Sequence, residues 1–448
     1  MSIEHTISSN QSNVRLLLIT ANTGSIFEKP DLLTAWLIEF ANLLRRHPSD
    51  FIALHCQEIG GKDYEKFMHT LDQFFNDLLQ LPEISSDFTR YRLYFDSDYS
   101  SQDTFTALGS AYFIHQNLSV QQWNFTTSCF QVVANRQIFA GNLVNAQTLR
   151  REKYPREFFP EAKWSRKGFT QTRWLINGFT FDLVNVHLFH DASNLLAIEG
   201  SPSIYIDLFI IIYTFFTSLL PDSSGKNVPY VIFGDFNFRL DAYRFVEYIS
   251  EKRHDLIDKI REENGDEITK MIVKHENNKP KLTIKKKEFN LHDNHDSFFN
   301  INTQQARMFD FESSSFHDHI FEYERTFPPS YPYSEEQHEA RSYLRARCPA
   351  WCDRILLSVN DHNQRFKNLT LASDTTTGLH TSDIINNKSQ EIQTISTNHE
   401  DLLAKKLPLL PTTSVITNND DHRTVLAHHI FHANIKHTFI RFIRETPV

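Results

Sequence analysis

Several short apolar runs rich in β-branched residues end in polar groups, and this recurrence restricts the chain to a fold built on sheets. Residues 14–20 run into Ala21-Asn22-Thr23-Gly24, and residues 51–56 into Gln57-Glu58-Ile59-Gly60-Gly61. Between them Leu33, Trp36, Leu37, Phe40 and Leu44 recur at helical spacing. Strand, helix, strand with polar residues at both strand ends is the pattern of a mixed sheet with helices. Residues 105–115 and 120–139 hold further strand-like runs. Residues 172–177 and 179–187 read as a hairpin turning at Asn177-Gly178. Runs at 228–233, 354–359 and 430–435 add strands.

The chain has 448 residues, enough for one large mixed enzyme domain. We expect a single domain over 14–440, a polar tail at 1–13, and two insertions. Residues 252–315 are highly charged and predict helices and loops away from the core. Residues 360–420 are rich in Asn, Thr, Ser and Asp and predict a long mobile loop. The net charge of −9 speaks against a general nucleic-acid binder but leaves room for a local basic pocket. Four Cys are too few for a disulfide framework, and Cys348 and Cys352 lack the second pair that a zinc site would need. Residues 1–13 have no apolar stretch of the signal-peptide kind, so the expected location is cytoplasmic. The apolar stretch 208–220 is short for a bilayer span and reads as a buried element.

The polar groups at the strand ends are the candidate site: Asn22, Glu58, His187, Asp235 with Asn237, Asp353, and Asp421 with His422. Glu58 lies between an apolar strand and two glycines that let backbone bend close to a ligand. A carboxylate with an Asn nearby suits Mg²⁺, which takes a few hard oxygens and keeps its waters. Asp235 and Asn237 are two apart, so on a strand they share a face. His422 beside a carboxylate forms a dyad that favours the charged imidazole near neutral pH. Between residues 150 and 174 there are eight Lys or Arg against three acids, among them Arg166, Lys167 and Arg173. Such a segment is either a solvated loop or a grip for phosphates that are held but not cleaved.

Phe233-Gly234-Asp235-Phe236-Asn237-Phe238-Arg239 and Arg347-Cys348-Pro349-Ala350-Trp351-Cys352-Asp353-Arg354-Ile355-Leu356 resemble the two signature motifs of the inositol polyphosphate 5-phosphatases, most closely the type I branch. Lys163-Trp164-Ser165-Arg166-Lys167-Gly168-Phe169 and Phe327-Pro328-Pro329-Ser330-Tyr331-Pro332-Tyr333-Ser334 are similar to type I segments too. The resemblance implies an α+β fold, a four-layer αββα sandwich of the DNase-like endonuclease/exonuclease/phosphatase superfamily. It implies Mg²⁺-dependent removal of the 5-phosphate from inositol 1,4,5-trisphosphate and inositol 1,3,4,5-tetrakisphosphate, which ends a calcium-mobilising signal. In that reading Glu58, Asn22 and Asp421 serve the metal. Asp235 polarises water, Asn237 supports the transition state, His187 and His422 contact the scissile phosphate, and Asp353 orients His422. Lys167, and more weakly Arg166, grip the neighbouring phosphate, while Arg354 either faces substrate or is structural. The chain as written ends Glu445-Thr446-Pro447-Val448, without the prenylated Cys box typical of type I enzymes, so the expectation is a monomer with no lipid anchor there. Peripheral association with the plasma membrane stays open. The alternatives are a nuclease or other phosphodiesterase of the same superfamily, and an inositol-phosphate-binding module without turnover.

Overall fold

The computed structural model describes residues 14–358 except 102, 155–165, 191–192, 200–227, 263–264, 266, 302, 317–319, 324, 326 and 336–341, together with 369–371, 426–429 and 438–444. In chain order the first strands are β1 (Arg15–Asn22), β2 (Phe51–Gln57), β3 (Arg90–Asp96), β4 (Gly109–Ile114), β5 (Val120–Asn124), β6 (Cys129–Val132), β7 (Arg136–Gly141) and β8 (Arg150–Lys153). They are followed by β9 (Gly168–Ile176), β10 (Phe179–His187), β11 (Tyr230–Asp235), β12 (Ile257–Arg261), β13 (Ile268–Lys274), β14 (Pro280–Lys285) and β15 (Glu288–Leu291). The last are β16 (Ile320–Phe321), β17 (Asp353–Ser358), β18 (Leu369–Leu371), β19 (Leu426–His429) and β20 (Thr438–Arg444).

Two sheets face each other. One runs β18-β20-β1-β2-β4-β3-β7 with β19 on β20; the other runs β16-β17-β11-β10-β9-β5-β6 with β8 on β9. The pairs β1–β2 and β10–β11 are parallel, so Asn22 and Gln57 end side by side, as do His187 and Asp235. The hairpin between β9 and β10 turns at Asn177-Gly178, with φ of 47° and 75°. Two successive left-handed residues make the twist that joins adjacent antiparallel strands, which is why Asn-Gly is preferred there.

Strand alternation fixes what each face does. On β1, Leu17 and Ile19 point outward, where they meet Trp36 and Phe40 of the helix Pro30–Arg46 and Phe74 of the helix Leu71–Gln80. Leu16 and Leu18 point inward and join Phe51, Trp174, Phe181, Leu183, Phe233 and Ile355 between the sheets. The outer face of the second sheet carries Val184, Val186, Ile232 and Leu356, packed with Phe236 and Phe238. The α+β sandwich implied by the resemblance is therefore present.

The inward rows change character along the strands. On β1, Leu16 and Leu18 give way to Thr20 and Asn22; on β2, Phe51 and Ala53 give way to His55 and Gln57. On β10, Phe181 and Leu183 lead to Asn185 and His187; β11 passes from Val231 and Phe233 to Asp235, and β17 from Leu357 and Ile355 to Asp353. Registers Asn22↔Gln57, His187↔Asp235 and Asp235↔Asp353 put these polar ends at one end of the sandwich.

Residues 252–315 include the expected helices, at His295–Asn300 and Thr303–Arg307, but correct the expectation of helices and loops alone. Strands β12-β13-β14-β15 form a four-stranded antiparallel sheet. Its apolar face, including Met271, Val273, Leu282 and Ile284, packs with Phe245 of the helix Ala242–Ile249 and with Trp351 and Cys352. The charges that obscured it, such as Lys285 and Glu288, sit on partly exposed positions and pair with each other at 2.7 Å. Within 360–420 only strand β18 is described, where the composition had predicted a loop. The expected apolar element at 208–220 and strand at 430–435 lie outside the described residues. No helix among the described residues is long and apolar enough to cross a membrane.

Candidate active site

Beneath the site the sheets are joined by directional bonds. Gln57 Nε2 donates to Asn185 Oδ1 at 2.8 Å, and Asn185 Nδ2 donates to the carbonyl of Gly109 at 2.9 Å. The His55 ring stacks on Phe233 with centroids 3.6 Å apart. Burial pushes its pKa down to about 3, so the ring is neutral. Nδ1–H then donates to the Phe233 carbonyl at 3.2 Å, leaving Nε2 to accept from the Tyr112 hydroxyl at 3.0 Å.

Asp235 stands at the centre of the site and is buried at 6% exposure. Its Oδ2 accepts from Asn22 Nδ2 at 3.0 Å, and its Oδ1 accepts from the Asn237 backbone N–H at 2.9 Å. The second bond is an Asx turn. It corrects the expectation that Asp235 and Asn237 share a strand face: β11 ends at Asp235, and Asn237 is in the left-handed region with φ 53°. The Asn237 side chain is fixed at both ends, Nδ2 donating to the Leu188 carbonyl at 2.8 Å and Oδ1 accepting from Arg239 at 3.1 Å.

His187 brings the two halves of the site together. Its Nε2 lies 3.5 Å from Asp235 Oδ2 and 3.8 Å from Glu58 Oε1, and it contacts the Lys167 ammonium. Burial, reinforced by Lys167 and Arg166, holds the His187 pKa well below its ordinary value, so the imidazole is neutral. Its Nδ1 makes no hydrogen bond among the described residues. Burial also lowers Lys167 to about 8, against the pull of Glu58 and Asp235. Arg166 donates to the Gly61 carbonyl at 2.8 Å and lies over the Tyr64 ring.

Glu58 follows β2 in a left-handed conformation with φ 56°, which turns its carboxylate toward Gly24. A Cβ added at Gly24 would sit 2.5 Å from Glu58 Oε2 and 3.4 Å from Asn22 Oδ1. One carboxylate oxygen and one amide oxygen thus converge over a residue that leaves them room. Among the described residues no group of three or more His, Cys, Asp and Glu could hold a metal ion alone. The pair fits an ion that binds through one or two protein oxygens and otherwise keeps water, as magnesium does. Zinc, which prefers a closed set of nitrogen and sulfur ligands, does not fit.

Asp353 is buried opposite Asp235, its N–H donating to Ser330 Oγ at 3.1 Å. Arg354 is not part of this convergence. It is one position further along β17, so its side chain leaves on the outer face. There it donates to Asp310 Oδ1 at 2.6 Å and Glu322 Oε2 at 3.0 Å. Burial opposes its charge, but those two carboxylates hold its pKa above the usual value. Its side chain thus meets Asp310 and Glu322 rather than the groups around Asp235. Asp421 and His422 lie outside the described residues.

Two contributors were not singled out in the sequence. Arg239 stacks 4.9 Å from the Tyr331 ring centroid while holding Asn237. Gly24 makes space for Glu58. Arg239 was visible as the last residue of the Phe233–Arg239 motif; the role of Gly24 depends on a contact between two loops that spacing does not encode.

Facing sheets with acids, amides and an imidazole at one end define the endonuclease/exonuclease/phosphatase class, and the Endonuclease/Exonuclease/phosphatase family 2 model matches residues 285–383. The chain is 42% identical over 347 residues to human inositol polyphosphate-5-phosphatase A, covering 77% of this chain and 83% of that protein. It is 32% identical over 387 residues to a probable type I inositol 1,4,5-trisphosphate 5-phosphatase of Caenorhabditis elegans, covering 78% and 92%. A solved inositol polyphosphate 5-phosphatase domain of SPsynaptojanin, in complex with inositol (1,4)-bisphosphate and calcium ion, aligns with TM-score 0.43 and 13% identity over 86% of this chain and 94% of that one. The chain belongs to the inositol polyphosphate 5-phosphatase family.

Proposed function

We propose that the protein hydrolyses the 5-phosphate of soluble inositol polyphosphates, inositol 1,4,5-trisphosphate and inositol 1,3,4,5-tetrakisphosphate, with Mg²⁺, and so ends a calcium-mobilising signal in the cytoplasm. The observation that carries this reading is the meeting of Glu58, Asp235 and Lys167 at one imidazole, His187. Two acids can serve a metal and a water, and a buried ammonium beside them attracts a phosphate.

Asp235 is the group to take a proton from water, because Asn22 and Asn237 N–H fix both of its oxygens in place. Asn237, held by Arg239 and Leu188, presents its amide to the phosphoryl group without searching rotamers. Neutral His187 offers hydrogen bonding rather than charge, and Lys167 neutralises phosphate. Glu58 and Asn22 would hold Mg²⁺, which when bound supplies charge neutralisation at the phosphoryl and leaving oxygens. In the same proposal Asp421 lies on the metal side, and His422, oriented by Asp353, contacts the scissile phosphate.

Hydrolysis should be measured on inositol 1,4,5-trisphosphate by phosphate release, on single-stranded DNA by strand cleavage and on sphingomyelin by phosphocholine release, each in magnesium and in EDTA. Magnesium-dependent release from the inositol phosphate alone is expected. Cleavage of DNA or sphingomyelin in preference would favour another branch of the superfamily. Binding of the inositol phosphate without release would make the chain a binding module.

A further inference from the structure

The rim of the site holds a second convergence that the reaction does not use. Ser25 and Lys29 lie on the loop after β1, and Lys62 on the loop after β2. Glu335 lies on the same stretch of chain as Tyr331, whose ring is under Arg239. The Ser25 hydroxyl donates to Glu335 Oε1, the Lys62 ammonium lies 3.2 Å from the same oxygen, and Lys29 lies 3.6 Å from Oε2. Lys62 is within the electrostatic reach of Glu58 and follows Gly61, which Arg166 holds. The cluster therefore borders the catalytic groups, and the segment from Tyr331 to Glu335 runs from the Asp235 side of the mouth to the Glu58 side.

Side-chain exposures of 45% and 57% for the two lysines and 29% for Glu335 mark these as half-open ion pairs. Such pairs stabilise a fold little, so stability is a weak reason for them and breaking them costs little. One hydroxyl and two ammoniums around a single anion are also the donors that grip a phosphate monoester. A phosphate carries about −1.5 to −2 charges near pH 7, against one for a carboxylate.

We propose that Ser25, Lys29 and Lys62 form an anion subsite beside the catalytic centre, filled by the chain's own Glu335 in the free protein, which takes a non-scissile phosphate of the substrate by displacing that carboxylate. This rests on the phosphatase reading above and adds to it a reason for preferring highly phosphorylated rings. Glu335 then acts as an internal competitor that sets the threshold for binding.

The test uses the full chain and inositol 1,3,4,5-tetrakisphosphate. Its binding is measured by calorimetry in EDTA, where turnover is not needed, and KM is measured in magnesium. Glu335→Gln is expected to tighten binding about threefold, with kcat unchanged, and Lys62→Met to weaken it by a similar factor. In a Ser25→Ala/Lys62→Met background the gain from Glu335→Gln should vanish. A gain that survives there is a long-range charge effect and overturns the subsite, as does unchanged or weaker binding in a Glu335→Gln protein of wild-type Tm. If the wild type binds the tetrakisphosphate without hydrolysing it, the phosphatase reading fails while the calorimetric comparison still decides the subsite.

Discussion

Asn22 Nδ2 donates to Asp235 Oδ2 at 3.0 Å, a bond between residues 213 positions apart that ties the end of one sheet to the end of the other. It fixes one carboxylate oxygen and leaves the amide oxygen of Asn22 to accept from the Gly24 backbone N–H at 3.1 Å, beside Glu58. Asn22→Leu removes both functions while keeping side-chain volume. A fall in kcat of about 10²–10³ is expected, comparable to losing one preorganised electrostatic contact. Steady-state phosphate release checks it; a kcat near wild type would show that the bond is incidental.

Gly24→Ala is a sharper probe of the proposed metal side. The new methyl would stand 2.5 Å from Glu58 Oε2, so the carboxylate must swing away. Activity at limiting magnesium should drop at least tenfold and recover in part at high magnesium, with little change in Tm. Magnesium titration of the rate decides it, and an unchanged titration curve would place Glu58 away from the ion. The order of magnitude is that of disturbing a metal ligand's support.

Lys167→Ala removes the ammonium that contacts His187. Because a phosphate-gripping charge acts on bound substrate as much as on the transition state, KM should rise by roughly tenfold and kcat should move less. The ratio of the two effects is the readout. A loss confined to kcat would assign Lys167 to the chemical step instead.

Arg354→Met should unfold the protein more easily without changing its chemistry. Removing the guanidinium leaves Asp310 and Glu322 facing each other with one fewer cation, although Arg325 also pairs with both. Losing one partner of a buried pair costs about 3–5 kcal/mol. Denaturant unfolding measures that, and kcat/KM per folded molecule should stay close to wild type. A stable protein with a raised KM would return Arg354 to the substrate side.

Mild acid should weaken the fold. Burial lowers His55 to about 3 and His295 to about 4, below the ordinary 6.5 of the unfolded chain. As pH falls through about 6.5 the unfolded state takes up protons that the folded state refuses. Stability is thus full above that pH and lost progressively down to the folded values. His295 alone accounts for roughly 3 kcal/mol by the end of its window. Tm followed from pH 7.5 to 4.5 should fall, and the fall should be shallower in His295→Gln.

Much of this was legible in the sequence because strand ends announce themselves. Residues 14–20 and 51–56 were apolar, β-branched and stopped by polar groups, and they became β1 and β2. Asn177-Gly178 marked the β9–β10 turn because few other pairs adopt two left-handed conformations cheaply. The polar residues closing three runs, Asn22, His187 and Asp235, and the one opening a fourth, Asp353, came to the same end of the sandwich. What resisted was geometry finer than adjacency. Asp353 and Arg354 are neighbours in one motif, yet strand alternation sends one inward and the other outward. Asp235 and Asn237 were assigned to one strand face, but an Asx turn had already ended the strand. The sheet within 252–315 was hidden because lysines such as Lys259, Lys270, Lys274 and Lys285 are interleaved with the apolar positions of its strands, diluting the strand signal to a charged composition.

The gradation of the inward rows has a consequence for how such a chain can drift. Within one or two steps along each of five strands, hydrocarbon gives way to amide, imidazole and carboxylate. Changes at the oily end can be absorbed when neighbours repack. At the other end the groups are bound by angle and distance to partners on other strands or on adjoining loops, so a lone change leaves a partner stranded. Tolerance to substitution should therefore be lopsided within single strands, permissive near Leu16 and Phe181 and nearly frozen near Asn22 and His187.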